Sequence, residues 1–423
     1  MLLTTFAAAA DDTLTGIFHP DFRTLTVQLE ENRLAPPIIT LNSTDNLIIG
    51  FDHLAEERQY LRYSIHHCDA NWQRSNLVDA EVFDGFNYAD VENYEFSNAT
   101  TTHYVHYTIT LPNNDFQFNI SGNYLLQVYP EDAPDEIILQ ARFMVSEGAV
   151  TVNGEVSSRT DIDYNKEHQQ LSFEVNLNRY SVRDIFNDLR IAVSQNNRTD
   201  NMVIVSHPSR VNGSSAIFEH NRNLIFPAGN EYRRIETVQM TYPGMGIDAI
   251  EFHNPYYHHF IGVDTPRHSK KYLFDSTQHG RFFVREYNAT NSDTEADYAV
   301  VHFTLKMLPD PDMDIYLDGD FTHRRFDTNS RMRYDAETGT YQAVKLLKQG
   351  AYNYQYLALP QNADISSAKH SAFANEVSQH ASTTQVEGNF YQTVNEYLVA
   401  VYYRNPSERF DRLLGYTILF SGK

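Results

Sequence analysis

The chain is poor in thiols, in tryptophan and in positive charge. Cys68 is the single cysteine among 423 residues, so no intrachain disulfide and no cysteine-built metal cage can form. Lys and Arg total 33 against 55 for Asp and Glu, a formal charge of -22. That balance disfavours nucleic acid and anionic lipid surfaces, which need a basic face to displace counterions. Its plain use is solubility. No run of about 18 apolar residues occurs, so no transmembrane helix is expected. The 28 Tyr and 26 Phe keep an outer-membrane barrel to be weighed separately.

Catalytic and metal signatures are equally scarce. There is no H-E-x-x-H and no G-x-S-x-G. Asp310, Asp312 and Asp314 have the start of a calcium loop, but Ile315 stands where the turn needs glycine and Phe321 where it needs a bidentate Glu. The neighbours His66 and His67, and likewise His258 and His259, point to opposite faces of a strand and cannot share one metal. Gly244 to Ala249 matches a permissive dinucleotide fingerprint. Pro255 ends any helix within two turns, and no βαβ alternation surrounds it. No catalytic residue, cofactor or metal is expected.

What is present is a period of two. Thr24 to Leu29, Tyr104 to Leu111, Tyr124 to Tyr129 and Ile137 to Val145 alternate or run apolar between turn clusters such as Pro112 to Asn114 and Ser121 to Asn123. They are rich in β-branched and aromatic residues, the mark of strands. About seven such strands in residues 17–147 suit one β-sandwich of immunoglobulin or fibronectin type. A central β block is expected over 148–296, with a helical turn at Ser181 to Asp184 and a polar linker at Asn288 to Ala296. A C-terminal block over 297–423 would hold Tyr298 to Leu305, Tyr352 to Leu359 and Tyr397 to Tyr403, interrupted by a long polar loop at 361–390. The fold class is therefore all-β, as tandem β-sandwich domains. Residues 1–16 read as a residual signal or disordered segment. Met1 to Ala10 is apolar, ends in small residues and has the form of a truncated secretory signal with its cleavage site near Ala10.

Three stretches carry a specific pattern. Leu61 to Trp72 is a strand running into an Asp-x-x-Trp turn, followed by Gly85 to Asn87 and Tyr94 to Ser97; Trp72 is expected to be core. Gln169, Gln170, Val193 to Asn196 and then Gly229 to Arg233 place Asn230, Glu231 and Arg233 beside a glycine turn, most simply a satisfied turn network. Asp314 to Phe321, Met332 to Tyr334, Gly339 to Tyr341 and Leu346 to Tyr356 resemble the early-set sandwich of glycogen- and starch-binding modules. Alternation puts Tyr352, Tyr354 and Tyr356 on one face of a strand.

In this order, and with Thr108 to Pro112, Ser121 to Leu126, Arg142 to Val145, Ala296 to Tyr298, Val301 to Phe303, Asn395 to Tyr397, Tyr402 to Arg404 and Asp411 to Gly415, the patterns resemble the plug protein family of the type IX secretion system from about residue 20 to 416. The resemblance implies a periplasmic, non-enzymatic subunit. Such a subunit docks on the inner mouth of the giant outer-membrane translocon barrel and closes its channel, without entering the membrane. The residues it marks are Trp72, Gly122, Asn230, Glu231, Arg233, Gly319, Phe321, Gly350, Tyr352, Tyr354 and Tyr356, all structural; it assigns no partner-binding residue. Two departures stand out: Ala351 where a second aromatic is expected, and Phe326 where glycan-binding early-set modules place Trp. A compact chain of this length has a radius of gyration of roughly 22 Å, enough to cover a wide pore. The alternative is a periplasmic or surface glycan-binding protein acting through the tyrosine strand. An integral barrel ranks third, because the strands are irregular in length and the chain stops at Lys423 rather than an aromatic. An enzyme ranks last.

Overall fold

The computed structural model describes residues 13–361 and 381–422, so the signal-like residues 1–12 and most of the 361–390 loop lie outside the described residues. The described residues form an all-β array of three sandwiches. In the first, one sheet runs in the order Gly16–Ile17, Leu139–Ser146, Gly122–Pro130, Leu61–Cys68, Ala89–Asp90, with Ile38–Thr40 added in parallel to Leu139–Ser146. It faces a sheet of Phe22–Leu29, Leu47–His53, Val105–Leu111 and Asn93–Phe96. Side chains at alternate positions of Leu61–Cys68 and Val105–Leu111 are buried, and those from both sheets meet in one core around Phe51, Tyr107, Tyr124 and Phe143.

The second sandwich is discontinuous in sequence. One sheet holds Thr151–Ser157, His168–Asn176, Ser215–Phe218 and Arg210–Asn212, with Ile225–Pro227 also on His168–Asn176. The facing sheet runs Val203–Val205, Leu189–Gln195, Glu396–Tyr403, Arg412–Phe420. Leu171, Phe173, Leu189, Ile191, Tyr397 and Val399 fill the core between them. The third sandwich is inserted between Pro227 and Glu396. Its sheets are Arg233–Glu236, Gly350–Pro360 and Phe282–Val284, with Met313–Asp318 on Gly350–Pro360, against Ile247–His253, Tyr256–Ile261, Tyr298–Lys306, Thr340–Lys348 and Arg333–Asp335.

This pairing cuts across the expected division at 296/297. Four strands placed in the central block, from Arg233–Glu236 to Phe282–Val284, join sheets of the third sandwich. Two strands placed at the C-terminus, Glu396–Tyr403 and Arg412–Phe420, complete the second. Periodicity identifies a strand but carries nothing about which distant strand it will meet. No helix forms at Ser181 to Asp184; the α-helical turns among the described residues are Asp79–Val82 and Ser292–Glu295. The second lies inside the segment expected to be a linker, and Asn291 caps it by accepting from the Asp293 amide at 3.1 Å.

Gly122–Pro130, Gly350–Pro360 and Glu396–Tyr403 are buried almost throughout rather than at alternate positions. A strand buried on both faces has a second layer behind it. The outer face of Glu396–Tyr403 meets the first sandwich through Leu398, Ala400, Tyr402, Ile38 and Ala70.

A chain ending at residue 390 loses two adjacent strands of the second sandwich. Hydrogen exchange then speeds up along Leu189–Gln195 while Leu61–Cys68 keeps its protection; unchanged protection at Leu189–Gln195 is incompatible with the pairing described.

Candidate functional site

Among the described residues, buried charged side chains gather at the seams between sandwiches. At the seam of the first and third, Asp52 closes the strand Leu47–His53 at a place where its cross-strand neighbour is His106. Lys348 ends Thr340–Lys348 opposite Tyr298. The two pairs meet. Lys348 Nζ and Tyr298 Oη both donate to Asp52 Oδ2 at 2.6 Å, and His106 Nδ1 lies 2.6 Å from Oδ1. Asp52 is 0% and Lys348 1% exposed. Lys348 also donates to the Asp293 carbonyl at 2.6 Å and stands 4.1 Å over the Tyr104 ring. Burial alone would raise the Asp52 carboxyl, but Lys348 and the His106 bond outweigh it and hold the group below its ordinary range. Beside it, Asp297 accepts from the amides of Thr101 and Thr102 at 2.6 and 3.0 Å.

The second seam is where the chain crosses twice between the second and third sandwiches, at 228–232 and 387–395. Glu387 is fully buried and accepts from Arg233 Nε at 3.0 Å, Arg267 Nε at 2.7 Å and the Tyr356 amide at 3.0 Å. Asp264 accepts from Arg233 at 2.6 Å and from the hydroxyls of Tyr354 and Tyr356 at 2.8 Å each. Glu231 accepts from Tyr272 Oη at 2.6 Å and the Val394 amide at 3.0 Å, and Asn230 donates to the Glu387 carbonyl at 2.9 Å. Burial raises Glu231, whereas for Glu387 the two guanidiniums overcome burial and keep the carboxylate charged. Two motifs far apart in sequence, Asn230–Arg233 and Tyr354–Tyr356, thus form one network. Arg281 with Glu396, and Arg324 with Asp318 and the Asn196 carbonyl, extend it toward the second sandwich.

All three sandwiches border a small cleft of about 170 Å³, lined by Trp72, Arg142 and Met144, by Arg198 and Leu398, and by Arg281 and Arg324. Arg198, Arg281 and Arg324 each already hold a carboxylate, on Asp200, Glu396 and Asp318, so the cleft carries no free positive charge from them for an anion. Among the described residues no group of three or more His, Cys, Asp or Glu side chains encloses a metal position.

The remaining marked residues lie in cores, at seams or at close approaches of the main chain. Trp72 is 5% exposed and packs with Cys68 and Leu125 at the seam of the first and second sandwiches, with Arg142 4.3 Å over its ring. Gly122 has φ +145°, and a Cβ there would stand 2.2 Å from His67 Nε2. At Gly319 and Gly350 the main chain passes too close for a side chain: a Cβ would meet the carbonyl oxygens of Asn353 and Phe283 at 2.6 and 2.3 Å. Phe321 lies edge-on to Tyr352, 5.5 Å between centroids. Tyr352, Tyr354 and Tyr356 do share a face, but it is the core face: they are 1%, 3% and 0% exposed. Tyr352 donates to the Lys348 carbonyl. No ring of this strand is available to stack on a sugar, which removes the observation behind the glycan alternative.

Asp52, Asp264, Lys348 and Glu387 were not singled out from the sequence. A lone acid in the apolar run Leu47 to His53 was a usable sign for the first; the others depend on contacts across 31 to 296 positions. Also missed were the exposed aromatics of the first sandwich. Phe86 (77% exposed) and Tyr88 (52%) stack at 6.0 Å with Arg62 5.6 Å over Tyr88. Arg58 bridges Tyr60 and Tyr94 at 4.3 and 4.4 Å, and Tyr94 meets Phe96 edge-on at 5.8 Å.

Residues 22–147 match a family model described as type 9 secretion system plug protein 1st domain. A crystal structure of a hypothetical protein from Parabacteroides merdae ATCC 43184 is similar with a TM-score of 0.91 at 41% identity, covering 96% of this chain and 99% of that one. The alkylpurine DNA glycosylase AlkC of Pseudomonas fluorescens, bound to DNA containing an abasic site analog, overlaps 30% of each chain at 11% identity with a TM-score of 0.16, too slight to bear on fold or function. No curated protein matches the chain.

Removing one partner of a buried pair leaves the other charge uncompensated, so Lys348→Met lowers stability by about 3–5 kcal/mol, and the double variant Asp52→Leu/Lys348→Met recovers most of it. Asp52 and Glu387 have depressed folded-state values. The stability they contribute is present above the ordinary carboxylate range and is lost as pH falls through the depressed values. Urea unfolding at a series of pH values checks both, and the Asp52→Leu/Lys348→Met variant shows the shallower acid dependence.

Proposed function

Through its residues 22–147 the chain belongs to the type 9 secretion system plug protein family, and from that premise we propose that it binds the periplasmic mouth of the system's outer-membrane translocon barrel and occludes the channel. It does so as a periplasmic, non-enzymatic stopper held at the outer membrane by its barrel partner. Covering a pore needs a body that keeps its shape under load and a surface that holds the rim. The first need is served by sandwiches joined through buried, paired and hydrogen-bonded charges, which favour one relative arrangement over many.

The observation that carries the reading is the aromatic surface on residues 58–62 and 86–96. Tyr60, Phe86, Tyr88 and Phe96 are all more than half exposed and braced by Arg58 and Arg62. Exposed Tyr and Phe beside Arg, held by ring and cation contacts next to strand ends, form protein interfaces at low entropic cost. The patch falls inside the residues matched by the plug-domain model. No helix among the described residues is long and apolar enough to cross a membrane, in keeping with a partner that supplies the anchorage.

Tagged protein expressed in a cell carrying the secretion system retains the large barrel protein in mild detergent. Phe86→Ala/Tyr88→Ala weakens that retention at least tenfold without altering far-UV circular dichroism. Wild-type protein that never retains the barrel would sink the proposal as a whole; undiminished retention by the double variant relocates the docking surface.

A further inference from the structure

Beside the seams and the aromatic patch, the structure gathers histidines on the outward face of the third sandwich. His258 on Tyr256–Ile261 and His302 on Tyr298–Lys306 come from adjacent parallel strands, where His258 is opposite Val300 and Phe260 opposite His302. His258 Nδ1 and His302 Nε2 are 2.8 Å apart, and the ring centroids 5.1 Å. His253, across the hairpin on Ile247–His253, brings its ring to 4.9 Å from that of His258. Its Nε2 is 2.8 Å from Glu251 Oε2. Phe260 lies flat against His302 at 4.4 Å and 15°.

We propose that His253, His258 and His302 form a surface site for an imidazole-seeking divalent transition ion, Cu²⁺ or Zn²⁺, with Glu251 orienting His253. Imidazole nitrogens lie about 2.0–2.1 Å from such ions. The centroids of two rings sharing one ion therefore stand about 4.5 Å apart at a right-angled centre and about 5.2 Å apart at a tetrahedral one. The observed 4.9 and 5.1 Å separations fall in that interval. The rings are not yet turned to a common point. His258 and His302 are half-buried and His253 is exposed, so rotation about their side-chain bonds is opposed chiefly by the contact of His302 with Phe260. The ion replaces the hydrogen bond between Nδ1 of His258 and Nε2 of His302, and the proton held there moves to the far nitrogen of its ring, so that both facing nitrogens present lone pairs. The Glu251 carboxylate fixes the His253 tautomer, the usual task of an acid behind a ligating imidazole. Opposite faces of a strand do separate His258 from His259, which is fully buried; His258 instead finds partners on two neighbouring strands.

Isothermal titration of the full chain with Cu²⁺, and separately with Zn²⁺, reads the site. One ion binds per chain in the micromolar range, with Cu²⁺ the tighter. The Cu²⁺ paramagnetic resonance spectrum carries splitting from at least two nitrogens. His258→Gln/His302→Gln weakens binding at least tenfold, and Glu251→Gln weakens it severalfold. Because the chain has 18 histidines, nitrogen-15 imidazole spectra of the unmutated protein provide a second readout, in which substoichiometric Cu²⁺ broadens these three rings first. Equal affinity and an unchanged spectrum in the double variant, or first broadening at other histidines, overturns the site.

Discussion

The ion pair between Asp52 and Lys348 is the constraint on which the arrangement of the first and third sandwiches depends. Neither charge has access to water, and each has further partners, Asp52 the Tyr298 hydroxyl and His106, Lys348 the Asp293 carbonyl and the face of Tyr104. A buried pair of this kind adds little over an apolar contact of the same shape, but it penalises heavily any arrangement that separates the partners. Its value is selection of one geometry. The helical turn Ser292–Glu295, which presents the Asp293 carbonyl, is docked by the same logic, with the Asn98 amide donating to the Thr294 carbonyl at 2.9 Å.

The insertion of the third sandwich into the second creates a different problem with the same solution. Two crossing connections without strand or helix could act as a hinge. Here they are tied to each other and to both sandwiches by Asn230, Glu231, Arg233, Arg267 and Glu387, with Tyr354 and Tyr356 lending hydroxyls from the core. The Arg-rich cleft where the three bodies meet fits the same picture, since its Arg198, Arg281 and Arg324 serve structural carboxylates rather than an open ligand site. Rigid joints and an exposed aromatic surface are what the proposed docking role requires.

Much of this was legible in the sequence. Period-two alternation marked Leu61–Cys68, Val105–Leu111 and Tyr298–Lys306 as half-buried strands, because one face of each meets core. The alternation of Tyr352, Tyr354 and Tyr356 placed them on one face. Which face could not be read, since tyrosine suits both a core with hydroxyl partners and a ligand platform. Only Asp264, 90 and 92 positions away in sequence, decides for the core. The continuous apolar runs at Tyr124 to Tyr129 and Tyr397 to Tyr403 reported burial on both faces without saying what lay behind them.

Local pattern alone thus determined that the chain is all-β, with no intrachain disulfide and no long apolar run, because these properties depend on composition and on residues near one another; the need for glycine at Gly122, Gly319 and Gly350 comes from close approaches of His67, Asn353 and Phe283. Tertiary structure alone decided that Glu396–Tyr403 belongs with Leu189–Gln195, that Asp52 meets Lys348, and that His258 faces His302. Each is a pairing between distant segments, settled by which sheets can bury each other's faces while satisfying the charges trapped between them.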